Sequence, residues 1–146
     1  MSYAMTRDER ETFLAGTHVG VLAIDEPGRG PLAVPVWYDY QPGGVVRIVT
    51  AGTSLKARLL RDAGRMSLCV QTETAPYQYV SIEGPVTFAP PDFARDVRGM
   101  AVRYLGPEMG EAYLAMTADE RARAPEVLIE MRPARWRTVD YGKMTG

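Results

Sequence analysis

The chain has 146 residues, 46% hydrophobic and 24% charged, with a formal net charge of −1. This is the mix of one globular unit, residues 1–146, with a core of ordinary size. At this length much surface stays uncovered, so pairing with a second copy is favourable. The charge balance argues against a general nucleic-acid binder, which needs clustered excess cation. No apolar run nears the roughly 20 residues of a membrane span, so no membrane partner is expected. The segment Met1–Arg7 carries no apolar stretch behind its charge, unlike a signal peptide. With Cys69 as the one cysteine, no intrachain disulfide forms and a reducing, cytoplasmic setting is expected.

In chain order, Thr6-Arg7-Asp8-Glu9 is a capping box that opens a helix running to about Ala15, closed by Gly16. Thr17 to Asp25 is apolar and β-branched and predicts a strand. Glu26-Pro27-Gly28-Arg29-Gly30-Pro31 is a turn. A strand from Leu32 to Tyr40 follows, then Gln41-Pro42-Gly43-Gly44 turns the chain into Val45–Thr50. Such spacing is that of a meander. A helix from about Ser54 to Gly64 places Leu55, Leu59 and Leu60 on its apolar side. Met66–Thr72 and Tyr77–Phe88 are strands, the second broken in register at Gly84-Pro85. Helical patterning covers Asp92–Tyr104 and Pro107–Ala122, joined at Leu105-Gly106-Pro107. Val127–Met131 and Arg135–Tyr141 are the last strands, and residues 142–146 form a frayed tail. Many short-looped strands with few helices predict a mainly β fold: an antiparallel barrel flanked by helices.

Two segments carry chemistry. In Thr50-Ala51-Gly52-Thr53-Ser54-Leu55-Lys56-Ala57-Arg58, a strand runs through a small polar loop into a helix. Free amides at a helix start attract anions, the Thr53 and Ser54 hydroxyls add donors, and Lys56 and Arg58 neutralise charge. It is no Walker loop, lacking Gly-x-x-x-x-Gly-Lys; a capped surface helix with solvated cations has the same composition. The second segment is Leu32–Tyr40. Alternation puts Leu32, Val34, Val36, Tyr38 and Tyr40 on one face and Ala33, Pro35, Trp37 and Asp39 on the other. Pro35 removes a ladder donor and belongs on an edge strand. Trp37 and Tyr38 offer flat faces to a planar ring, although an ordinary edge strand with one aromatic per layer reads the same way. Tyr77 and Tyr79 suit a pocket wall, a dimer seam or a cross-strand pair.

Other residues are assigned structural roles. His18, the single histidine, has no second histidine for a metal site or shuttle. Cys69 alternates with Leu68 and Val70 as a buried, inert thiol. No metal-ligand cluster and no Gly-x-Ser-x-Gly elbow are present. Arg95, Arg98, Arg103, Arg121 and Arg123 alternate with acids as a solvated face, from which one arginine could reach an anionic ligand.

The segments Gly20–Ala23 with Pro31–Tyr38, Thr53–Asp62 and Tyr77–Gly84, in this order and spacing, resemble the pyridoxamine 5′-phosphate oxidase-like, flavin-binding split-barrel family. More narrowly, the chain resembles its short actinobacterial branch that uses the deazaflavin coenzyme F420. The resemblance runs from the capped helix to Trp136–Asp140. It implies a split β-barrel of the flavin-reductase kind, an obligate homodimer, and a cofactor groove between subunits. By matching position, Lys56, Thr53 and Ser54 would hold the cofactor phosphate, with Arg58 nearby. Val34, Pro35, Val36 and Trp37 would border the ring, Thr50 and Ala51 would lie beneath it, and Tyr77 and Tyr79 would come from the barrel wall or the partner.

What the resemblance implies is a hydride transfer from reduced F420 to a small enone- or quinone-like acceptor. The cofactor carries the chemistry, so no catalytic side chain is assigned; the proton comes from a tyrosine such as Tyr38 or Tyr79, or from solvent. Two other readings stay open: an FMN-binding oxidoreductase of the same fold, and a non-catalytic cofactor carrier. Vitamin B6 oxidation itself is not expected. Full pyridoxamine-phosphate oxidases grip substrate with an arginine- and histidine-bearing stretch, and no histidine follows Trp136 here.

Overall fold

A computed structural model describes residues 2–145. The chain opens with α1 (Arg7–Ala15), capped by Thr6 as the sequence predicts: the Glu9 amide donates to Thr6 Oγ1, and the Thr6 amide to Glu9 Oε1. Strands β1 (Gly20–Ile24), β2 (Leu32–Val36), β3 (Asp39–Tyr40) and β4 (Val46–Ala51) follow. Next come α2 (Leu55–Ala63), β5 (Arg65–Gln71) and the long β6 (Gln78–Ala89). A π-helical turn, Phe93–Arg98, leads into α3 (Gly99–Arg123), and β7 (Glu126–Met131) and β8 (Arg135–Asp140) complete the sheet.

All neighbouring strands are antiparallel, in the order β2-β1-β5-β6-β7-β4-β3, with β8 also paired to β6. The two ends of that path, β2 and β3, are separated in the chain only by Trp37 and Tyr38. The sheet therefore curls until its edges meet, and a two-residue joint replaces ladder pairing across the gap. Inside lies one apolar cluster that includes Leu22, Ile48, Leu68, Ile82 and Met131, joined by Leu14 of α1 and Leu60 of α2.

Local chemistry explains most boundaries. Gly64 closes α2 at φ 71°, a left-handed conformation that glycine adopts without strain, and its amide donates to Leu60 O at 2.8 Å. Gly106 interrupts α3 with a positive φ of 84° and an extended ψ of 168°, which marks the kink between the two helical stretches expected from Leu105-Gly106-Pro107.

Four expectations are corrected. Leu32–Tyr40 is not one strand: the ladder stops at Val36, because the Tyr38 amide donates instead to Tyr104 Oη of α3 at 3.0 Å. The inside-outside alternation nevertheless persists through the joint, with Val36, Tyr38 and Tyr40 buried. β6 is not broken at Gly84-Pro85 but changes partners there, pairing β5 and β8 up to this point and β7 from Val86 onwards. A Cβ on Gly84 would stand 2.0 Å from Arg132 O, so only glycine lets the β7–β8 connection cross. The apolar side of α2 is Ala57, Leu59 and Leu60, while Leu55 is exposed in the first turn. Finally, Tyr141–Thr145 is a short 3-10 helix instead of a frayed tail, tied by the Tyr141 amide to Tyr77 O and by Lys143 Nζ to Glu9 Oε1 at 2.8 Å. Gly146 lies outside the described residues.

Candidate functional site

A cleft of about 400 Å³ opens where the ends of β2 and β4 meet the start of α2 and the helical stretch 93–123. β2 is an edge strand, as Pro35 requires, and contributes Pro35 and Val36, with Trp37 from the joint that follows it; β4 contributes Val49, Thr50 and Ala51. Lys56, in the first turn of α2, reaches the same space. Six residues singled out from the sequence thus converge on one cleft from three separate elements.

The anion-binding features at α2 are only partly free. Ser54 caps the helix by accepting from the Ala57 amide at 3.1 Å, and Thr50 Oγ1 donates to Ser54 Oγ at 3.1 Å. The Thr50 proton is thereby spent, whereas Ser54 accepts both bonds and keeps its own proton to donate. The Leu55 and Lys56 amides, however, have no acceptor, and the Lys56 ammonium forms no ion pair among the described residues. Two unspent N–H groups and an unpaired cation at a helix start suit a phosphate or carboxylate.

The remaining candidates lie elsewhere. Val34 packs against the barrel core, while Thr53 and Arg58 are exposed outside the cleft. Tyr77 is exposed beside the C-terminal turn, and Tyr79 pairs with Gln71 and Val139. None of the five lines the cleft. Tyr38 is fully buried and donates to Leu14 O at 2.6 Å. Burial pushes its hydroxyl far above the usual phenol range. Tyr38 is therefore a core hydroxyl and not a proton donor to a ligand in this cleft.

Trp37 is half-buried at the cleft edge, but one of its faces is already taken. Tyr104 stacks on it with ring centroids 5.0 Å apart and planes 4° from parallel, and Tyr113 leans against it at 5.6 Å. Tyr104 donates its single proton to His18 O at 2.6 Å, with Tyr38 O as an alternative acceptor at 3.0 Å. The preceding Arg103 donates to Ala15 O and Gly16 O and faces Asp39 at 3.7 Å. Arg103 is thus a clamp between α3 and the barrel, not part of a solvated face. Together Arg103 and Tyr104 hold α3 over the β2–β3 joint and so set one wall of the cleft.

The helical stretch supplies Val97, Met100, Ala101, Tyr113 and Thr117, which sequence patterning did not single out, with Asp96, Glu120 and Arg121 from the mixed-charge face. Asp96 is nearly fully buried. Burial pushes its carboxyl up, but bonds from Arg95 Nε and from the Asp92 amide, both 2.8 Å, outweigh this and hold it below the usual range. Arg121 donates to Thr117 Oγ1 and to Leu114 O. Glu126, the first residue of β7, also lines the cleft, and burial pushes its carboxyl up against the opposing pull of Arg121. No local signal in the chain marks Glu126; its position depends on β7 pairing with β4, which sets it opposite Ala51.

A curled antiparallel sheet whose edges are joined by two residues, with a cleft at that seam, defines a split-barrel protein. Residues 6–140 match the pyridoxamine 5′-phosphate oxidase family profile, and the chain belongs to that family. Among solved structures it resembles a conserved hypothetical protein of Mycobacterium tuberculosis, Rv2991, with 24% identity over 99% of this chain and 91% of that one and a TM-score of 0.79. It also resembles an F420 reductase at 22% identity, covering 87% of this chain and 94% of that one, TM-score 0.60. A FAD-binding protein from Mesorhizobium loti matches at 16% identity over 92% and 93% of the two chains, TM-score 0.63. At these identities the likeness establishes the shared fold. No curated protein sequence matches the chain. No helix among the described residues is long and apolar enough to cross a membrane.

Proposed function

We propose that the chain is a homodimeric oxidoreductase that binds coenzyme F420 in this cleft and reduces a small unsaturated acceptor, an enone or quinone-like compound. The observation that carries the reading is the unpaired Lys56 ammonium, beside two acceptor-free amides, at the mouth of a cleft edged by Pro35 and Trp37. These residues fit a planar cofactor with an anionic side chain. Lys56 and the Leu55 and Lys56 amides hold the anionic group. The Pro35–Trp37 edge and the Thr50–Ala51 strand end border the ring. The reduced deazaflavin, when bound, supplies the hydride. The protein orients the ring and screens water, with Val97, Met100 and Ala101 as the apolar wall.

FMN is the second reading, and the charge of the cleft favours it. Asp96, Glu120 and Glu126 face Lys56 and Arg121 there, and Arg121 is engaged with Thr117 and Leu114. A single phosphate is easier to accommodate among these acids than the acidic tail of F420.

In this proposal a second copy of the chain packs on the outward face of β1, β2 and β5. There Val21 is 43% exposed and registers with Pro35 and Cys69, and Ala23 with Ala33 and Ser67, giving a flat surface of small side chains. Light scattering should then report twice the mass of the monomer. Absorbance titration with purified F420 and with FMN tests the cofactor. The expected result is saturable binding of one of them, weakened at least tenfold in Lys56→Ala by loss of a charge-assisted contact. Absence of saturable binding to either would remove the proposal. Equal affinity in Lys56→Ala would remove the anion site.

A further inference from the structure

Glu126 stands apart from every other charged group of the cleft. Its Oε1 is fully enclosed and has no hydrogen-bond partner among the described residues. Buried polar atoms in folded proteins are almost always paired, so an orphan calls for an explanation. No ion pair to Lys56 or to Arg121 forms within 4.0 Å, and the Arg121 guanidinium is committed to Thr117 and Leu114. The other acid buried in the cleft, Asp96, is fully satisfied by Arg95 and the Asp92 amide. Glu126 is also held on rigid backbone. It pairs with Ala51 at the end of the β4–β7 ladder, and the adjoining Gly52 amide donates to Pro125 O at 3.0 Å. The loop that this contact fixes leads directly to Lys56. An unspent carboxyl and an unspent ammonium thus line one cavity from the two sides of the same strand end.

A carboxylate accepts hydrogen bonds and donates none. Oε1 is closed off even from water, so the oxygen that meets the cleft is Oε2, which also takes part in no hydrogen bond among the described residues; the group that completes it is an N–H or O–H on whatever fills the cleft. We infer that Glu126 is the second recognition group of the site, accepting a hydrogen bond from the imide N–H of a flavin or deazaflavin ring whose anionic side chain is held at Lys56. This rests on the cofactor reading above and deepens it: Lys56 reads charge, which many metabolites share, whereas Glu126 reads the pyrimidine edge that distinguishes this ring class. It also accounts for an otherwise unfavourable acid in a site built for an anion. Burial raises the carboxyl against the pull of Arg121, so binding strengthens as pH rises and the carboxylate form is populated. Lys56, Arg121, Glu120 and Asp96 are the charged groups facing the same space.

The test is a chemical double-mutant cycle. The cofactor that the wild type binds, F420 or FMN, is compared with its N3-methyl derivative, which lacks the imide proton. Binding to wild type, Glu126→Leu and Glu126→Gln is followed by ring fluorescence. Wild type should prefer the parent ring by about tenfold, the worth of a hydrogen bond to a charged group. The preference should vanish in Glu126→Leu and return in part in Glu126→Gln, which keeps a carbonyl acceptor. An equal preference in wild type and Glu126→Leu overturns the assignment while leaving the cofactor reading intact. Failure of the wild type to bind either parent ring overturns both. If Glu126→Leu does not fold, Glu126→Gln carries the comparison, and a preference there as large as in wild type overturns the assignment.

Discussion

Replacing Tyr104 by Phe removes one oxygen and leaves the ring stacked on Trp37. That oxygen accepts from the Tyr38 amide at 3.0 Å and donates to His18 O at 2.6 Å. Neither the Tyr38 amide nor the His18 carbonyl belongs to a strand ladder, so no strand neighbour takes over. An unsatisfied buried donor or acceptor costs about 1–3 kcal/mol; with two groups stranded at a half-buried site, a loss of about 3 kcal/mol is expected. For a chain of this size 1 kcal/mol shifts the midpoint by roughly 3 °C, so Tm should fall by about 9 °C. Thermal unfolding by circular dichroism and urea titration measure it. Tyr113→Phe is the matched control: Tyr113 also leans on Trp37, but its hydroxyl has no hydrogen bond among the described residues. It should change stability by less than about 0.5 kcal/mol. A Tyr104→Phe loss below about 1 kcal/mol, or a loss equal to that of Tyr113→Phe, would refute the clamp.

Three further outcomes are expected. Gly84→Ala forces a Cβ to within 2.0 Å of the Arg132 carbonyl; displaced backbone should cost on the order of 3 kcal/mol, seen as a lower urea midpoint. His18 stacks on Phe13 and its Nε2 donates to Phe13 O, while burial pushes the imidazole below its ordinary value. A lowered histidine binds its proton less well folded than unfolded, so stability falls as pH drops below the unfolded value of about 6.5. His18→Gln should flatten that part of a stability–pH curve measured between pH 7 and 5. For Glu126 the sign is opposite. Its raised carboxyl keeps its proton longer in the folded chain, so stability is lost as pH rises from the unfolded value through the folded one. Glu126→Gln should match wild type at pH 4 and exceed it at pH 7; a wild type more stable at pH 7 would contradict the orphaned carboxyl.

What the amino-acid order determined by itself is the set of features decided by near neighbours. The Thr6–Glu9 box, the glycine that closes α2, the kink at Gly106 and the edge placement of Pro35 all depend on a few adjacent residues and on backbone rules that hold in any fold. Pro35, Trp37 and Lys56 stood out from the order of residues, as a ladder breaker, an aromatic and a cation at a helix start; Val36, Thr50 and Ala51 reached the candidate list through the family resemblance, and all six line the cleft. Tertiary structure alone decided the rest. Patterning has Leu32–Tyr40 as one strand, yet a hydroxyl 66 residues away takes the Tyr38 amide and bends the chain into a joint. Arg103 reads as a solvated cation until α3 lands on the end of α1. Tyr38 offers an aromatic face until Leu14 closes over its hydroxyl. Glu126 carries no mark of its own, since its burial and its missing partner exist only once β7 pairs with β4 and the helical stretch folds back over them. Hydrogen bonds between distant segments are satisfied by geometry that no local sequence encodes, and in this protein they place the walls of the cleft.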